Sequence, residues 1–237
     1  MDSQEKIFGD YLDDQQAAHH TIQTGHIEAY EDHFIKLLPA DKNVRILDIG
    51  CGCGQLLYVL KKNGYNNLLG IDLGQEQVEK TRSLGIEAER ISDLEEFFRE
   101  QKALWDVMIL WGVVEHFPKN KMLKYLDAIR NGLSNGGIAI IVTCNMSILS
   151  GPFQRYIDFT HEFGFTELSL RQVLRVSGFS TISITGEKPR LKPRIKFLVW
   201  FVLREIWFKV LGFIYLLEKG TDRPKILSRH LIAVAKK

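Results

Sequence analysis

Apolar residues along this chain change period several times, and glycine, proline or an Asn/Asp turn marks most of the changes. Short, nearly continuous apolar runs fall at 46–49 (ILDI), 67–71 (NLLGI), 105–111 (WDVMILW) and 137–143 (GIAIIVT). Runs of this length with little alternation read as strands covered on both faces, as in a parallel sheet. Between them the period lengthens to that of an amphipathic helix. The pattern predicts helices over 55–62, 74–83, 94–101 and 121–133, the last with Met122, Tyr125, Leu126, Ile129 and Leu133 on one side. Asn63-Gly64 and Asn135-Gly136-Gly137 are stop signals. A third strand is expected over 85–90. A helix should follow over 167–177, capped by Thr166 and stopped by Gly178, then strands over 179–184 and 228–235. Strand–helix alternation of this kind predicts an α/β, doubly wound fold.

Two stretches lie outside the alternation. Residues 1–38 read as helical and polar, with Ile27, Tyr30, Phe34 and Leu37 or Leu38 spaced to dock on the main domain, and Pro39 ends them. The second is 188–222. It opens with a basic comb, Lys188, Arg190, Lys192, Arg194 and Lys196, broken by Pro189 and Pro193. An aromatic and aliphatic run follows, interrupted by Arg204, Glu205 and Lys209. It falls short of the ~20 uncharged residues of a spanning helix. Trp200, Trp207 and Tyr215 are residue types that favour a lipid–water interface. Three readings stay open: a monotopic helix or hairpin on an anionic membrane, a dimer interface or lid, and an ordinary buried helix pair. The resulting division is an N-terminal helical cap (1–40), the core (41–187), the basic and aromatic insertion (188–222) and a final core strand (223–237).

Composition narrows the class. At 237 residues the chain can bury one α/β core with an addition. A net charge of +2 carries no global nucleic-acid signature. Three cysteines make no disulfide framework, and Cys51-x-Cys53 reads as small side chains inside a glycine turn rather than a metal site. His19, His20, His26 and His33 read as surface or packing histidines. The first residues lack the basic-then-apolar order of a signal peptide, so the cytosol is the expected compartment.

The chemistry starts at Gly50-Cys51-Gly52-Cys53-Gly54, between the first strand and the first helix. Glycines there let the backbone approach a ligand, and the helix behind presents free N–H groups. A dinucleotide site would want G-x-G-x-x-G, but residue 55 is Gln55. The second strand ends in Asp72, placed to accept the hydroxyls of an adenosine ribose; the alternative is a cap for the next helix.

The pattern G-x-G-x-G preceded by Asp48 resembles the first motif of class I S-adenosylmethionine (SAM) methyltransferases. Asp106-Val107 with Val113-Val114-Glu115-His116-Phe117, Leu133-x-x-Gly136-Gly137, and Asp158-x-Thr160-His161 with Phe165-Thr166 through Gly178-Phe179 are similar to stretches of the members that modify small molecules, lipids, quinones and sugars. The resemblance covers roughly 44–184 and the final strand. It implies a seven-stranded, mostly parallel sheet with helices on both faces, and SAM as cofactor with S-adenosylhomocysteine (SAH) as product. It places Asp48, Gly50, Cys51, Gly52 and Gly54 around the methionine moiety and Asp72 with Leu73 at the ribose. Ser92 or Asp93 falls at the adenine, where either would serve equally as a helix cap, and Trp111 and Gly112 line the cofactor. His161 is the candidate general base and His116 the second choice; for both, holding a loop by hydrogen bonds is the alternative. No metal is expected.

The implied activity is methyl transfer to a sugar hydroxyl on a lipid-linked glycan, or to a quinone-type or other small-molecule hydroxyl. The N/D-P-P-aromatic motif of amino methyltransferases is absent after the fourth strand, which argues against a nucleic-acid base or a protein amide nitrogen as acceptor, and no nucleic-acid partner is expected. A SAM-binding but non-catalytic protein, docked on a membrane or forming a homodimer, is the other reading. If the insertion is an anchor, the protein is peripheral on the inner membrane face.

Overall fold

The computed structural model describes residues 34–101, 104–187, 195–220 and 224–237. Seven strands form one sheet: β1 (Ile46–Ile49), β2 (Leu68–Asp72), β3 (Glu87–Arg90), β4 (Trp105–Trp111), β5 (Leu133–Cys144), β6 (Thr181–Gly186) and β7 (His230–Lys236). Their order is β3-β2-β1-β4-β5-β7-β6. β1 pairs in parallel with both β2 and β4, with Ile49 opposite Ile71 on one side and Leu110 on the other. β7 runs antiparallel between β5 and β6. All four β1 residues are buried, as the uninterrupted apolar runs require.

Side chains alternate across the sheet with period two. On one face Leu47, Ile49, Met108 and Leu110 pack with the apolar side of α4 (Met122–Gly132). On the other, Ile46, Val107 and Ile109 pack with Leu56, Leu57 and Leu60 of α1 (Gln55–Lys62). The chain runs outward from β1 through α1, β2 and α2 (Gln75–Ser83) to β3, then returns through α3 (Leu94–Glu100) to β4. The strand order therefore reverses between β1 and β4, and ligands of open α/β sheets sit beyond the carboxyl ends of the strands at such a point.

Several boundaries differ from the expectation. β5 begins at Leu133, because Leu133 already pairs with Trp105 before the register shifts at Val107. The Asn135-Gly136 stop signal is absorbed as an irregularity in the strand, with Gly136 at φ +79°. The 144–166 connection, for which the pattern predicts no element, holds α5 (Gly151–Tyr156), which starts with Pro152 in its first turn. It leads to α6 (Glu167–Val176), where Thr166 and Ser169 form a capping box.

The insertion is a single helix, α7 (Ile195–Lys219). Leu198, Trp200, Leu203, Ile206, Trp207, Phe213 and Leu217 lie substantially exposed. Leu211 is buried, and the Tyr215 hydroxyl donates to the Ser147 carbonyl (2.7 Å). The reading as an ordinary buried helix pair is thus corrected: one helix touches the domain near its C-terminal half and leaves most of its apolar surface outside. No helix among the described residues is long and apolar enough to cross a membrane. Phe34 and Leu38 are buried against the core as expected. Ile27, Tyr30 and the histidines at 19, 20, 26 and 33 lie outside the described residues.

Candidate active site

The glycine turn after β1 is held in place by its neighbours. The N–H groups of Gly50 and Cys51 both donate to the Ile71 carbonyl (2.8 and 3.0 Å). The Asp72 carboxylate accepts from the N–H of Gly52 through one oxygen (2.8 Å) and of Gly74 through the other (2.9 Å). The Thr81 hydroxyl of α2 donates to the Gly52 carbonyl (2.9 Å). Gly50, Gly52 and Gly54 all take positive φ, which residues with a Cβ adopt at a cost. They differ in surroundings. A Cβ on Gly50 would stand 2.5 Å from Val113 Cγ2, and one on Gly54 would stand 2.8 Å from Thr81 Oγ1, whereas one on Gly52 would meet nothing within 4 Å among the described residues.

That open side belongs to a cavity of about 480 Å³, which Asp48, Gly52, Trp111 and Gly112 line together with His116 and His161. Trp111 stacks on Phe34 (ring centroids 4.8 Å apart), so residue 34 steadies this wall. Asp48 is 3% exposed. Burial, and then the Asp72 charge, push its carboxyl up to about 8. Burial also raises Asp72, against the opposing pull of the Gly74 and Gly52 N–H groups. Burial, Asp48 and Asp72 drive the Cys51 thiol upward too, which keeps it protonated and fits its structural reading.

A carboxylate whose folded-state pKa is raised favours the fold most below its unfolded value, 3.8, and loses that contribution as pH climbs toward about 8. Asp48→Asn should therefore stabilise the ligand-free protein. Its lead over wild type in thermal unfolding should widen from about pH 4 to about pH 8 and stay level above. A constant lead across that range would contradict this account of Asp48.

The opposite wall is built by the chain after β4. Gly112 (φ +65°) turns the backbone, and Val114–His116 form one 3-10 turn. The Glu115 carbonyl accepts from the N–H groups of Glu162 and Phe163 (2.8 and 3.0 Å), drawing the distant 158–163 loop onto the end of β4. The Glu115 carboxyl, raised by burial, accepts from the Thr143 hydroxyl (3.0 Å). In the loop, Asp158 Oδ1 accepts from the Thr160 N–H (2.8 Å) and from its hydroxyl (2.7 Å). His116 Nδ1 lies 2.9 Å from Thr160 Oγ1, and His161 Nδ1 lies 3.0 Å from the Gln154 carbonyl. The two imidazoles sit 4.7 Å apart, centroid to centroid. Burial, with His161 beside it, lowers His116 to about 4, so this ring is neutral at ordinary pH.

The structure thus brings His116 and His161 together with Asp48, Gly50, Cys51, Gly52, Trp111 and Gly112 in one cavity wall. Gly54 and Asp72 stand behind the glycine turn and brace it. Leu73, Ser92 and Asp93 do not line this cavity. Asp93 is the N-cap of α3: it accepts from the N–H groups of Glu95 and Glu96, from Lys121 Nζ (2.9 Å) and from the Tyr125 hydroxyl (2.7 Å). Burial would raise its carboxyl, but these donors, led by Lys121 and Tyr125, hold it down at about 2.

Sequence reasoning passed over Gln77, Gln154, Asp158 and Arg229, which also line the cavity. Asp158-Phe159-Thr160 carried the usable signal, since an Asp two residues before a Thr is the pattern of a side-chain-to-backbone turn. Gln77 and Arg229 carried none.

These walls suit a cationic, hydrogen-bonding cofactor. The buried Asp48 and half-buried Asp72 carboxyls flank the turn, the space beside Gly52 is open, and the buried Gln77 Nε2 has no partner among the described residues. The methyltransferase domain family matches the chain over residues 19–184, and the chain belongs to it: it carries a class I, SAM-dependent methyltransferase domain. Among solved structures, a SAM-dependent methyltransferase from Archaeoglobus fulgidus superposes with a TM-score of 0.69, at 19% identity, over 96% of this chain and 99% of that one. The plantazolicin methyltransferase BpumL in complex with SAH gives 0.60 at 22% identity, over 98% and 89%. A ubiquinone biosynthesis O-methyltransferase of Xylella fastidiosa is 30% identical over 122 residues, 49% of this chain and 48% of the relative. The chain spans about half the length of the curated relatives it matches.

Proposed function

We propose that this methyltransferase acts on oxygen: a hydroxyl of a quinone-type phenol, or of a sugar on a lipid-linked glycan, presented at a membrane surface. The observation that carries the reading is His161. Its Nδ1 faces a backbone carbonyl, which has only lone pairs, so the neutral ring carries its proton there. Nε2 is then the basic nitrogen, on a residue that lines the cavity. SAM supplies a methyl group already activated by its sulfonium. The protein's share is alignment of the acceptor and removal of its proton. Asp48, Gly50, Gly52, Trp111 and Gly112 would hold the cofactor, and Asp72 would keep the turn in shape while reaching the ribose. The relative named for ubiquinone O-methylation supports oxygen as the acceptor atom.

Support for the membrane comes from α7. Its exposed tryptophans and aliphatic residues follow directly on the basic comb at 188–196, a combination suited to an anionic lipid surface. Deleting 190–218 should release the protein from vesicles containing anionic lipid while SAM binding survives. Equal sedimentation with and without the segment would favour a lid or a dimer interface instead.

The acceptor is tested by incubating labelled SAM with host extract and separating lipid-linked, soluble-glycan, small-molecule and nucleic-acid pools. Label in the lipid-linked or quinone pool supports the proposal. Label in nucleic acid alone contradicts it, and no label with SAM bound would make the protein a non-catalytic binder.

A further inference from the structure

The 158–161 loop holds a buried carboxylate oxygen whose charge is unmatched. Asp158 Oδ1 is occupied by the Thr160 N–H and hydroxyl. Oδ2 is sealed from solvent and has no hydrogen-bond donor among the described residues. Such an oxygen is costly to bury unless something positive stands near it. His161 Nε2 lies 3.7 Å away. That is too long for a hydrogen bond, yet close enough for a strong charge interaction where water is excluded.

In the neutral ring the His161 hydrogen sits on Nδ1 and is directed at the Gln154 carbonyl. Nε2 then offers Asp158 only a lone pair. Once the ring has taken up a proton it carries an N–H on each nitrogen. One is matched by the Gln154 carbonyl, and the other stands beside the Asp158 carboxylate. Two further titratable groups face His161. His116, with its ring centroid 4.7 Å away, is neutral at ordinary pH. The Glu115 carboxyl is pushed up by burial and accepts from the Thr143 hydroxyl. The charge that a general base gains during reaction would thus develop beside a negative charge already in place.

We infer that Asp158 is a positioning residue for methyl transfer, acting through His161. The inference rests on the oxygen-methylation reading. In the transfer the acceptor oxygen bonds to the methyl carbon while the carbon–sulfur bond breaks with its electron pair on sulfur, and the hydroxyl proton passes to His161 Nε2. Asp158 takes no proton. It stays ionised beside the imidazolium until that ring releases its proton to water. His161 lines the cavity, whereas Asp158 Oδ2 is out of an acceptor's reach, so its influence passes through the ring.

The test combines Asp158→Asn, His161→Ala and the double variant, assayed with labelled SAM and dilutions of the host-extract fraction that takes up label. Asparagine keeps an oxygen for Thr160 and removes the charge; SAH affinity and melting temperature check its fold. Asp158→Asn should lower kcat by about tenfold to a hundredfold, with KM for the fraction and SAH affinity unchanged. In the His161→Ala background the same change should cost less than about twofold, because the two residues act as a unit. A readout without SAM or acceptor is nitrogen-15 NMR of histidine-labelled protein, acidified until His161 is charged. Wild type should show a slowly exchanging Nε2 proton that is lost in Asp158→Asn. No such proton in wild type, a wild-type kcat in Asp158→Asn, or an undiminished loss in the His161→Ala background would overturn the inference alone. Wild-type turnover in His161→Ala would refute the base reading beneath it, and transfer by wild type to no fraction would overturn both.

Discussion

Gly52→Ala should weaken SAM and SAH binding by about tenfold or more, a change of ~1.4 kcal/mol or above, and leave the protein folded. The backbone there has φ +53°, so alanine carries a left-handed penalty of ~1–2 kcal/mol, which a domain of ordinary stability, about 5–15 kcal/mol, survives. The added Cβ meets no atom of the described residues within 4 Å, so it would stand in the space where the turn lets a ligand approach the backbone. Gly50→Ala is the contrasting case. Its Cβ would stand 2.5 Å from Val113 Cγ2, so it should lower the melting temperature more than Gly52→Ala does. Calorimetric titration with SAH and thermal unfolding of both variants check the pair. Wild-type affinity in Gly52→Ala would mean that the cofactor does not lie against this turn.

The second large effect is expected at His161. His161→Ala should reduce turnover by roughly 10²–10⁴, the range for losing a group that activates the reacting hydroxyl, with SAM affinity unchanged. The separation follows from the site's construction: His161 sits on the 158–163 loop, while the glycine turn is braced by Asp72, Ile71 and Thr81. His116→Ala differs, because that half-buried ring is held between Thr160 and His161; it should disturb the loop and lower stability along with rate. Turnover of His161→Ala close to wild type would remove His161 from the chemistry.

How far the chain could be read in advance follows from which forces act locally. β1, β2 and β4 were legible because strands covered on both faces need unbroken apolar runs, and Ile46–Ile49 and Trp105–Trp111 have them. The glycine turn was legible because positive φ at three alternate residues demands glycine. Asp93 was ambiguous, since a cap and an adenine contact ask for the same residue; Lys121 and Tyr125, 28 and 32 residues on, tie it into the cap. The place of Asp158 in the cavity wall lay hidden for a different reason. Its loop is carried across the sheet by two N–H bonds to the Glu115 carbonyl, and no local pattern encodes such a bond. In α7 the run of apolar residues was plain, but burial and exposure leave the same signature in a helix that is apolar on all sides.

The most direct measurement of the central claim is carbon-13 NMR of the product formed from SAM labelled in its transferable methyl, with purified protein and the acceptor fraction that takes up label. The account predicts a single O-methyl resonance that vanishes with His161→Ala. A product carrying only N-methyl or C-methyl carbon would contradict it.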